Sequence, residues 1–116
     1  MSQPAVDANA FAEMKELMGD DFKDIVSMCL QSLPEQLNHI ERAIKTQNVD
    51  TLFTISHKMK SSCGSIGAFG LAERAEAIEI ISRNGSTKIP EQTLNDLRDA
   101  TEQVISLLNT EVNKKI

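Results

Sequence analysis

The chain has no tryptophan, no tyrosine and only four phenylalanines among its 116 residues. That removes most of the aromatic platforms on which single-stranded nucleic acids stack. Positive charge is also short: 12 Lys and Arg face 17 Asp and Glu, a formal net charge of −5, and a surface that tracks phosphates needs a basic face. No nucleic acid is expected as a partner. Cysteine is scarce, with Cys29 and Cys63 far apart and without the paired spacing of a zinc site. Both fall on apolar stripes, where cysteine acts as a small hydrophobe, so a reducing, cytoplasmic setting is expected. No run approaches the ~18 consecutive apolar residues of a membrane span. Met1-Ser2-Gln3-Pro4-Ala5-Val6-Asp7 has neither the basic start nor the apolar stretch of a signal peptide.

What is present is a folding chain, 41% hydrophobic and long enough for one core, so residues 1–116 read as one domain. Asp7 suits an N-cap, with Val6 and Phe11 at the two positions of a hydrophobic staple. A short helix follows to about Met18, stopped by Gly19. Asp20 caps a long second helix striped by Phe22, Ile25, Val26, Cys29, Leu33, Leu37, Ile40 and Ile44, with a kink expected at Pro34. Asn48 and Asp50 mark the turn into a third helix, which Gly67 ends. Leu71, Ala75, Ile78 and Ile81 stripe a fourth, closed by Asn84-Gly85. After a loop, Pro90 suits the first position of a last helix with Leu94, Leu97, Val104, Ile105, Leu108 and Val112 on its buried face. The tail from Asn113 to Ile116 is expected to fray. There is no strand-like alternation and no internal repeat. The pattern predicts an all-α fold, an antiparallel up-down four-helix bundle with the short first helix covering one end. A bundle closed within one chain predicts a monomer.

The third helix, Asp50 to Gly67, is the informative one. Leu52, Ile55, Met59, Cys63 and Ile66 share one face; Phe53, His57, Lys60, Ser61 and Gly64 share the other. A solvated face of scattered polar residues is the plain interpretation. Against it stand a mid-helix glycine, which costs up to ~1 kcal/mol and points to close approach by something else. Lys60, at i+3 from the ring, is placed to balance negative charge on it. Phe53, at i−4, puts an apolar side chain on a polar face, as docking patches do.

The other histidine, His39, reads as a surface residue. Glu35 and His39 could share a face, but the Glu-x-x-His pairs of a di-iron bundle are missing and no metal is expected. Catalysis by His57 in its own right would need an orienting acid, a pocket and an oxyanion site, which a convex helix face does not offer. An exposed histidine flanked by a cation suits holding a phosphoryl group and passing it on. Two alternatives compete with this: a plain helical adaptor that binds partners through the same face without phosphate, and a domain of a kinase. No glycine-rich nucleotide lid supports the latter.

The stretch His57-Lys58-Met59-Lys60-Ser61-Ser62-Cys63-Gly64-Ser65-Ile66-Gly67-Ala68 resembles the signature of the histidine-containing phosphotransfer (HPt) family. That pattern is His, any residue, an aliphatic, Lys, Gly, a small pair, Gly or Ala, then an aliphatic followed by Gly. His57, Met59, Lys60, Gly64, Ile66 and Gly67 match it; Ser61 stands where glycine is usual. The resemblance implies a stand-alone helical-bundle carrier, not an enzyme, that takes a phosphoryl group on the far ring nitrogen of His57. The donor would be a receiver-domain aspartate and the acceptor another receiver, in hybrid histidine kinases and response regulators. No cofactor is implied on this chain, Mg²⁺ belonging to the receiver. Lys60 would then stabilise charge, while Gly64, Phe53, Ser61 and Lys58 form the docking surface with help from Arg74. Family members often orient the ring with a polar residue on the next helix, and by count that position is Glu79.

Overall fold

The computed structural model describes residues 3–113 and contains five helices over that span: α1 (Ala8–Met18), α2 (Asp21–Lys45), α3 (Val49–Gly64), α4 (Phe69–Arg83) and α5 (Glu91–Asn113). α2 packs on α3, α3 on α4, α4 on α5 and α5 back on α2, closing a four-helix ring, while α1 lies against α2. The expectation of a four-helix bundle with a short extra helix is met. Residues 114–116 of the tail lie outside the described residues.

Each stripe turns inward. Val26, Leu33 and Ile40 of α2, Leu52 and Met59 of α3, Leu71, Ala75 and Ile78 of α4, and Leu97, Val104 and Leu108 of α5 are buried together. Cys29 and Cys63 join them as free thiols. Burial, with a smaller contribution from Cys29, pushes the Cys63 thiol up to about 12; burial also raises Cys29. Both therefore stay protonated and act as packing groups. α1 is held by Phe11, whose ring meets that of Phe22 edge-on at 5.1 Å, and by Lys15, whose ammonium lies 2.5 Å from the Glu111 carboxylate on α5.

Helix ends follow their chemistry with some shifts. Asp7 caps α1 by accepting from the Ala10 N–H at 3.0 Å, and Asn48 caps α3 by accepting from Thr51. Asp20 makes no side-chain cap bond, because the chain re-enters helix directly after Gly19 and the Gly19 carbonyl takes the Phe22 N–H instead. α2 runs unbroken through Pro34. Pro90 stands one place before α5, and its carbonyl accepts the Leu94 N–H at 3.1 Å.

α3 ends at Gly64, one turn before the glycine expected to end it, and residues 65–68 turn the chain into α4. Gly67 has φ +79, and a Cβ there would sit 2.9 Å from the Phe11 backbone nitrogen. The N-cap of α4, Ala68, offers no side-chain bond, leaving the first N–H groups of the helix to be satisfied some other way. The segment before α1 does this: the Ala5 carbonyl accepts the Leu71 N–H at 3.1 Å, and the Asp7 N–H donates to the Gly67 carbonyl at 2.9 Å. At Gly70 an added Cβ would come 1.8 Å from the Pro4 carbonyl oxygen. Gly70 thus lets this strap, and Gly67 the first turn of α1, close on the α3–α4 turn. Gly70→Ala is expected to expel the strap and lower stability by about 1–3 kcal/mol, through overpacking and the lost hydrogen bond at Leu71. A urea-unfolding midpoint equal to that of the parent protein would contradict this.

Candidate functional site

Successive turns of α3 bring Phe53, His57, Lys60, Ser61 and Gly64 along one side. His57 is mid-helix with its side chain 53% exposed. Its ring is held from two directions. Phe53, one turn back, stacks on it with centroids 6.0 Å apart and planes 19° from parallel. From α4, the Glu79 carboxylate reaches Nδ1, with Oε2 at 2.6 Å.

Glu79 is the unusual group, because its side chain is 2% exposed. A carboxylate removed from water is costly unless cations and donors surround it. Lys60 supplies one cation, with Nζ 2.8 Å from Oε1, and Arg83 a second, with Nη2 3.5 Å from Oε2. Burial pushes the Glu79 carboxyl up, but hydrogen bonds from Lys60 and His57, together with their charges, outweigh it and hold the group below the usual carboxylate range. The hydrogen bond to Glu79 in turn holds the Lys60 ammonium above its ordinary value. An ionised carboxylate only accepts hydrogen bonds, so Nδ1 carries the ring proton and donates it to Glu79. In the neutral ring Nε2 then keeps its lone pair, on a side chain that is 53% exposed.

Glu79 therefore stands where counting from the histidine put it. Phe53 touches the ring itself, beyond the docking contact expected of it. Lys60 is engaged by Glu79 and lies 3.5 Å from Glu76, so it is not a free cation waiting beside the ring. Gly64 borders open space: a Cβ built there meets nothing within 4 Å. Nothing in the chain's own packing requires glycine at that place, in contrast to Gly67 and Gly70. Ser61 and Lys58 are exposed on the same helix. The Arg74 guanidinium donates to the Gly70 carbonyl at 2.8 Å, at the strap end of α4. Arg83 and Glu76 were not picked out from the sequence, although their spacing of four and three from Glu79 puts both on its side of α4. Among the described residues no group of three or more His, Cys, Asp or Glu is placed to hold a metal ion.

Comparison with known proteins speaks to the fold and the family. The crystal structure of histidine-containing phosphotransfer protein B (HptB) from Pseudomonas aeruginosa PAO1 superposes with a TM-score of 0.87 at 20% identity, covering 99% of this chain and 100% of that one. The HPT domain of the Hpt sensor hybrid histidine kinase from Shewanella gives 0.77 at 17% identity, covering 93% of each chain. These likenesses show the fold. No curated protein sequence matches. The model of the Hpt domain family matches residues 24–107, well over half of the chain. The chain belongs to the Hpt domain family: it is a phosphorelay carrier between receiver domains, without independent catalytic machinery.

Proposed function

We propose that His57 is the residue that carries the phosphoryl group. It takes the group from the aspartyl phosphate of a hybrid-kinase receiver and hands it to the receiver aspartate of a response regulator. The main support is the 2.6 Å hydrogen bond between Nδ1 and the buried Glu79 carboxylate. It selects the tautomer in which Nε2 is the nucleophile and holds the ring so that this nitrogen meets an approaching partner.

Phosphoryl transfer of this kind needs in-line placement and charge neutralisation more than covalent help. Glu79 and Phe53 supply placement by fixing the ring. Lys60, one turn away, shares its charge between Glu79 and the arriving phosphoryl oxygens. Gly64 allows the receiver surface to come close to the helix backbone, and Phe53, Ser61 and Lys58 border the contact. Mg²⁺ and the remaining catalytic groups belong to the receiver. Residues 1–116 act as one monomeric domain in the cytoplasm, where the receivers are met.

Incubation with a phosphorylated receiver is expected to place an acid-labile label on the parent protein and none on His57→Gln. Label retained by the variant would reject His57 as the acceptor, and a chain that binds receivers without taking label would be an adaptor. Gly64→Gln is expected to fold normally, since the added side chain starts in open space, and to slow transfer by at least about tenfold, or ~1.4 kcal/mol. An unchanged transfer rate in stopped-flow would show that close approach at Gly64 is not needed.

A further inference from the structure

We propose that Glu79 acts through its charge as well as its position: it keeps a proton on Nδ1 of phosphorylated His57 and so sets how readily the phosphoryl group leaves. This rests on His57 being the phosphorylated residue. When Nε2 attacks an aspartyl phosphate, an N–P bond forms and the P–O electron pair returns to the aspartate oxygen. The ring keeps its Nδ1 proton and gains positive charge. In the reverse sense, or toward a second receiver, the N–P electron pair returns to Nε2 as the acceptor oxygen bonds to phosphorus. With Nδ1 protonated the departing ring is neutral imidazole; with Nδ1 bare it would leave as an imidazolate anion, a far poorer leaving group.

A neutral amide at residue 79 could accept the same hydrogen bond and orient the ring equally well. A carboxylate adds a full negative charge 2.6 Å from the nitrogen whose proton decides the leaving group. That charge is secured from the other side by Lys60 at 2.8 Å and Arg83 at 3.5 Å, and burial keeps water from screening it. The charged groups around the ring are Lys60 of α3 and Glu76, Glu79 and Arg83 of α4. Among the described residues no ion pair joins α2 or α5 to this cluster. Lys60 and Arg83 offset Glu76 and Glu79 in number, but Glu79 alone bonds the ring. The ionised pair Glu79 and protonated phospho-ring is therefore favoured over a bare Nδ1.

The test loads the parent protein and Glu79→Gln with phosphoramidate, a small donor that needs no receiver, and follows loss of the phosphoryl group by ³¹P NMR from pH 5 to pH 10. In both proteins loss slows as Nδ1 deprotonates. The fall-off is expected about 1–3 pH units lower in the variant, the displacement an adjacent opposite charge produces. Beyond both fall-offs the variant's phosphoryl group then lasts about tenfold longer for each unit of displacement. Coincident fall-offs, or a constant rate ratio at every pH, would overturn the charge role while leaving His57 as the carrier. Failure of both proteins to load at His57 would overturn the carrier assignment and this proposal with it. Should the variant not fold, ¹⁵N NMR of the loaded parent decides: Nδ1 deprotonating together with free phosphohistidine would reject the proposal, and deprotonating at higher pH would support it.

Discussion

The buried Glu79 carboxylate is the contact on which the site depends. Taken out of water, it is stable as an anion only because His57, Lys60 and Arg83 converge on it from two helices. Two of these partners are spaced three apart on α3 and the third lies four beyond Glu79 on α4. The cluster therefore holds one register between the helices, and a slip by one turn would strand the charge. The interface is fitted for close approach: Ser56 and Ser82 are both buried, and each returns its hydroxyl proton to its own helix, at the Leu52 and Ile78 carbonyls. Neither demands anything of the neighbouring helix.

Two glycines of one short motif turn out to do opposite jobs. Gly64 faces open space, while Gly67 is crowded by the backbone of α1 at a positive φ. The first leaves the outer surface low, where the proposed function brings a partner. The second lets the first turn of α1 pack against the turn that joins α3 to α4. A stretch that reads as a single signature is thus divided between an open surface and a packed turn, and the division falls where α3 ends.

In the proposed function the ring of His57 has to be open to two partners in turn and still be kept from swinging. The bundle meets both demands by placing His57 on a convex face and fixing it from beneath. Stacking on Phe53 limits rotation of the ring, and the hydrogen bond to Glu79 assigns its tautomer.

Helix content, the inward stripes, His57 and its neighbours Phe53, Lys60 and Gly64 are all legible in the sequence, since residues three and four apart must share a face. The Asp7 and Asn48 caps are legible for the same reason: they involve only contacts within a turn. Glu79 could be reached only by counting along a family pattern, and Arg83 was not reached at all. Whether α4 presents residue 79 or a neighbour to His57 depends on how the turn over residues 65–68 sets the two helices. That turn is held by backbone bonds from the segment before α1, some 60 residues away in the chain. Periodicity determines which residues lie on a face; only the packed structure decides which face meets which, because that depends on contacts between segments that local spacing does not relate.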